Sequence, residues 1–205
     1  MKNYLIILLV VFCSCKKDIS EIDNIRNKIY DKKDYQGAII ALKGILNSGT
    51  NISDEDKAEI YYYIADSYLI LGNSKLALEN FNKFFKFTPD NNYLIEVAYL
   101  DRGEAKYNLE DYTGSVKDFN ICVNMNPDDP TAYLSRGKSL AKLDMKESAC
   151  EDFNNYITEN TELKIKNGEI LGNNLDFVSQ ESIEELNVFY KECNCYALIK
   201  IKEKL

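Results

Sequence analysis

The chain has 205 residues, 45% hydrophobic and 28% charged, which suffices for one globular domain and is short for two. A formal net charge of −8 and a pI near 4.8 exclude non-specific binding to nucleic acid or to an anionic membrane, since both need a basic surface. Histidine and tryptophan are absent, so the commonest general base and metal ligand is missing, as is the side chain favoured for stacking on sugars.

In chain order, MKNYLIILLVVFCSC carries one early lysine and then the apolar run Leu5 to Phe12, too short for a stable bilayer span, and reads as an export signal. Its end, Phe12-Cys13-Ser14-Cys15, resembles the lipobox of bacterial lipoproteins of the Bacteroidota kind. Ser14 is small where cleavage would need it, whereas Phe12 is bulkier than the usual Leu, so the resemblance points to Cys15 rather than Cys13. It implies a signal peptide at 1–14, a lipidated tether at 15–18 with Cys15 acylated, and attachment to a membrane of the cell envelope, the outer membrane, through its lipid.

Residues 19–161 are expected to form helix pairs. Within 96–129, Tyr99 and Gly103 lie four apart, and Tyr112, Ser115, Phe119 and Cys122 repeat at three and four along one face. Pro127 stops the second helix. A shift of 34 residues aligns Tyr99 with Tyr133, Gly103 with Gly137, Ser115 with Ala149 and Phe119 with Phe153, giving a further copy at 130–161. A copy at 58–91 carries Tyr61, Ala65, Tyr68, Gly72, Ala77, Phe81, Phe84 and Pro89, with four extra residues at 92–95 before the next. A degenerate one at 19–50 keeps Tyr35, Ala38, Leu42 and Ile45 but has Ile22 and Arg26 in place of the aromatic and the small residue.

This register resembles the tetratricopeptide repeat, and the resemblance implies an all-α superhelical solenoid of helix-turn-helix units with a C-terminal capping helix. The cap falls in 162–205. Leu163 to Leu171 alternates around Asn167-Gly168, a hairpin signal inside an otherwise irregular segment, and Ser182 with Glu185 makes a capping box for a helix whose Ile183, Leu186, Tyr190 and Cys193 share a face.

No phosphate-binding loop, Gly-x-Ser-x-Gly elbow or zinc motif occurs, so the sequence predicts no enzyme, no cofactor and no metal. An oxidising compartment favours a disulfide between Cys150 and either Cys193 or Cys195, while Cys122 replaces a small core residue.

The family resemblance places ligands in the groove of the first helices: Asp23, Asn24, Asn27 and Tyr30 in the first repeat, then Glu59, Tyr62, Tyr63, Asp66 and Ile70. The third repeat adds Leu100, Asp101, Glu104, Tyr107 and Asn108, and the fourth Leu134, Ser135, Lys138 and Lys142. The carboxylate-clamp subset is not matched, because Asp23 and Tyr63 stand where Lys and Asn are needed. The expected recognition surface is Tyr62, Tyr63, Asp66, Asp101, Glu104 and Tyr107, preferring a basic and apolar protein or peptide segment. The function expected is therefore a binding scaffold of the envelope. The alternatives are a structural assembly factor of an outer-membrane machine, of the barrel-insertion or pilus type, and a glycan-binding lipoprotein.

Overall fold

A computed structural model describes residues 22, 24–27, 29, 31–48, 51–89, 92–159, 163–166, 169–172 and 180–195. The signal segment 1–14, Cys15, the tether, Asp23, Tyr30, Asn167-Gly168 and the tail from 196 lie outside the described residues. The chain divides into two compact units, the first ending at Ala98 and the second beginning at Tyr99.

In the first unit, helical residues at 22, 24–27, 29 and 31–32 precede α1 (Tyr35–Asn47), α2 (Asp54–Ile70) and α3 (Ser74–Phe87). Helix α2 packs against both α1 and α3. Ala58, Ile60, Ile64, Ala65, Ala77, Phe81 and Phe84 are fully buried in their core. Helix α4 (Ile95–Asn108) crosses the division between the units.

The second unit continues with α5 (Tyr112–Met125), α6 (Pro130–Lys142) and α7 (Lys146–Glu159), α6 packing on both its neighbours. Two strands follow, β1 (Leu163–Lys166) and β2 (Glu169–Gly172), antiparallel with Lys166 opposite Glu169. That register pairs the strands on either side of Asn167-Gly168, in keeping with the hairpin signal in the sequence. Helix α8 (Gln180–Glu192) lies against β2 and α7, which supplies the support that a lone hairpin lacks. The fold of the described residues is thus an all-α helical repeat with one small hairpin set into its C-terminal cap.

Helix α8 begins at Gln180, so Ser182 sits inside the first turn and is not the cap that the Ser182/Glu185 pair predicts. Gln180 and Glu181 are both good helix formers, and neither side chain obliges the helix to wait for Ser182. On its inner face Phe189, Tyr190 and Cys193 are buried with Leu140, Phe153 and Ile157.

Local chemistry fixes each helix pair. The glycine–aromatic interlock is a steric fact: a Cβ on Gly103 would lie 2.6 Å from the Phe119 ring, and one on Gly137 2.7 Å from Phe153. The turn inside three repeats closes in the same way, with the N–H of Asn73, Asp111 and Met145 reaching back to the carbonyls of Tyr68, Lys106 and Leu140 at 2.8, 2.9 and 3.0 Å. That is the hydrogen-bond pattern of a left-handed helix stop. It requires positive φ at the residue before, supplied by Gly72 (75°) but also by Glu110 (63°) and Asp144 (59°). Asp34 and Asp111 then cap the next helices by accepting from the N–H of Gly37 and Gly114, where any side chain would collide with the capping carboxylate.

Candidate recognition surface

Repeat two departs from the expected groove. Tyr62 and Tyr63 are buried, at 4% and 3% exposure, and belong to the core. The Tyr62 ring is wedged among Phe81, Phe84 and Tyr63, with centroids 6.2, 5.9 and 5.3 Å away. Tyr63 is covered because the residues inserted at 92–95 return over it: Tyr93 Oη donates to Glu59 Oε1 at 3.2 Å, and Arg26 stands 3.8 Å from the same carboxylate. Hydrogen bonds to Arg26 and Tyr93 complete the Tyr63 hydroxyl's surroundings. Burial, with the negative charge that Tyr93 and Glu59 add, pushes the Tyr63 hydroxyl well above its ordinary value of 10.0. Tyr61, which the repeat register assigns to the core, is instead only half-buried and stacks on Phe87 at 5.7 Å. Asp66 is half-buried.

In the second unit the groove positions do come together. A hollow of about 330 Å³ is lined by Glu104, Tyr107 and Asn108 of α4, Phe119 of α5, and Ser135 and Lys138 of α6. Five of these six stand in the first-helix register, and Phe119 enters because Gly103 lets its ring reach between the helices. Glu104 is exposed, while Asp101 and Tyr107 are half-buried. Tyr107 meets Tyr112 edge-on at 5.4 Å, which holds its ring at the wall of the hollow. The hollow is thus of mixed charge, an acid on one helix and a lysine on the next, rather than uniformly acidic.

Between the paired helices of the third and fourth repeats lie groups that sequence pattern did not single out. Asp118 is 2% exposed and receives two hydrogen bonds from Arg102, both 2.8 Å, and an ion pair from Lys106 at 2.7 Å. Asp152, 3% exposed, receives the same fork from Arg136 at 2.8 and 2.7 Å, and Arg136 also reaches Asn120. Arg102 lies over the Tyr99 ring and Arg136 over that of Tyr133, at 5.2 and 5.5 Å. Burial raises the Asp152 carboxyl, and the two Arg136 bonds pull it back. The signal was present in sequence as Arg and Asp sixteen apart, recurring after 34 residues. In a helical repeat, however, charges at single positions are read as solvated faces. Joining the last two repeats, the Ser115 and Ser139 hydroxyls hydrogen-bond each other at 2.9 Å in the core.

Cys150 is bonded to Cys195, and Cys193 is a buried thiol whose ionisation burial opposes. Among the described residues no group of His, Cys, Asp and Glu could hold a metal ion, and no helix is long and apolar enough to cross a membrane.

Helix pairs closed by a left-handed stop and interlocked by glycine against phenylalanine define a class, the helical-repeat fold, in which side chains of successive first helices share one face. Residues 58–91 match the family model described as tetratricopeptide repeat. Among solved structures, MamA from Desulfovibrio magneticus RS-1 superposes with a TM-score of 0.62 at 17% identity, over 86% of this chain and 93% of that one. The first repeat domain of Spaghetti (RPAP3), bound to the HSP90 peptide SRMEEVD, gives 0.50 at 20% identity over 69% and 97%. The TPR2B domain of yeast Sti1, in a pHsp70 complex, gives 0.50 at 17% over 67% and 96%. At these identities the likeness is one of fold. No curated protein matches the sequence.

Proposed function

We propose that the protein is a non-enzymatic scaffold that binds a protein or peptide segment on the first-helix face of its second unit. The observation that carries this reading is the hollow in which Glu104, Tyr107, Asn108, Ser135 and Lys138 converge, five groove-register side chains from two successive first helices. The repeat fold needs none of them for its core. Of the solved proteins of similar fold, one is bound to an HSP90 peptide and another stands in a pHsp70 complex. In the hollow, exposed Glu104 favours a basic residue beside an apolar one that covers Tyr107. Membrane anchoring through Cys15 at the outer membrane is part of the proposal and rests on the apolar run ending at Ser14-Cys15.

The test is selection from a displayed random-peptide library against the full chain, followed by titration of the winners with Glu104→Lys and Lys138→Glu variants whose melts match wild type. Selected peptides should combine Lys or Arg with an aromatic or aliphatic residue. Glu104→Lys should weaken them roughly tenfold, the worth of one well-placed charge contact. Equal binding by both variants, or the absence of saturable binders, overturns the assignment.

A further inference from the structure

The first unit holds a second hollow, of about 450 Å³, that shares no residue with the groove register. Leu46, Ile52 and Ile64 give it apolar walls. Tyr61 and Phe87 stand beside them as a pair stacked at 5.7 Å with planes 13° apart. Lys43, Lys57 and Lys83 ring it, with the amides of Asn47 and Asn80 between, and no carboxylate is among its described lining residues. In a chain with 33 acids against 25 bases, that is a local inversion of charge.

The lysines are held rather than loose. Lys43 Nζ donates to Tyr68 Oη at 2.7 Å and lies over that ring at 5.1 Å, and Lys83 stands 5.3 Å over the Tyr61 ring. Lys57 lies 5.3 Å from the Phe87 ring and pairs with Asp54 at 2.8 Å. Among the described residues, no acidic side chain pairs with Lys43 or Lys83. Ring contacts leave an ammonium's remaining N–H groups able to donate, so Lys43 and Lys83 offer charge-assisted bonds above an apolar floor.

We infer that this hollow is a binding site for a small amphipathic carboxylate, its apolar body against Leu46, Ile52, Ile64 and the Tyr61–Phe87 pair and its anionic head between Lys43 and Lys83. The volume lies in the range of small-molecule sites, and the hollow is bounded by α1, α2, α3 and Ile52 while staying half open to solvent, which suits a compact ligand whose charged head stays at the mouth. The site is independent of the peptide-binding reading, since it lies in the other unit and on other residues.

The experiment is an NMR titration of the full chain, labelled on Ile and Leu methyls, with 3-phenylpropionate and with its uncharged analogue 3-phenylpropanamide. The carboxylate should shift the methyls of Leu46, Ile52 and Ile64 saturably, and the amide should bind at least tenfold more weakly. Lys83→Glu should weaken the carboxylate by tenfold or more. Lys75→Glu, an equal change of net charge on an exposed lysine of α3 outside the lining, should change it less than twofold. Absence of saturable shifts at those three methyls, equal binding of the amide, or equal loss in the two variants overturns the inference.

Discussion

At the scale of single residues, Tyr63 shows how a position chosen for recognition can be taken over by the core. The repeat register puts it on the groove side, and the structure buries it beneath Arg26 and Tyr93. An acid whose folded pKa is raised binds its proton more tightly in the native state than in the unfolded one. Its contribution to stability is therefore intact below the unfolded value of 10.0 and is lost as pH rises beyond it. Thermal melts between pH 8 and 11.5 should fall more steeply for wild type than for Tyr63→Phe, whose melts start lower at neutral pH because the hydroxyl's bonds are gone. Parallel pH profiles would show that the buried hydroxyl ionises as freely as in the unfolded chain. Sequence could not foresee the burial, because the residue that covers Tyr63 comes from the four-residue insertion, and an insertion between repeats is read as loop. By contrast Glu104, Tyr107, Asn108, Ser135 and Lys138 were legible as one surface, since no insertion separates the third repeat from the fourth.

At the scale of the element, the small-to-large pairs Gly103–Phe119 and Gly137–Phe153 could be read from spacing, because a backbone approach that close admits only glycine. The turns could not. A left-handed stop is announced by glycine, and only Gly72 carries that sign, whereas Glu110 and Asp144 adopt the same geometry with a side chain in the way. Such a residue costs roughly 1–2 kcal/mol in that region. Glu110→Gly should therefore stabilise the chain by about 1 kcal/mol after the added flexibility of the unfolded state is subtracted, measurable by urea denaturation. A loss of stability would mean that the Glu110 side chain does something the backbone geometry does not reveal. The start of α8 is hidden from sequence for a related reason: a capping box marks where a helix can begin, and Gln180-Glu181 extends it backwards by propensity alone.

At the scale of the whole molecule, the bond from Cys150 to Cys195 fastens the last helix to the last repeat across a sequence separation of 45. Closing a loop of that length stabilises by about 4 kcal/mol through the entropy it removes from the unfolded chain. Reduction, or Cys195→Ser, should lower stability by that order and expose Cys193 to alkylation, since Cys193 is buried in the same cluster. Cys122, buried within α5, should stay protected in the same experiment. Alkylation of Cys193 at equal rates before and after reduction would mean that the helix holds without its tether.

The fork of Arg on buried Asp fixes geometry more than it adds stability. Tyr99, Arg102, Gly103, Asp118 and Phe119 recur as Tyr133, Arg136, Gly137, Asp152 and Phe153 at one constant displacement of 34, while the matching places for Arg and Asp in the earlier repeats hold Ile64 with Asn80 and Ile25 with Ala41. An apolar pair of similar volume would serve stability as well as a buried ion pair or better, so packing alone gives no reason to invent the fork twice. What the fork supplies instead is direction: two parallel N–H···O bonds admit one orientation of guanidinium against carboxylate, so the two helices of the third repeat and those of the fourth are held in the same register.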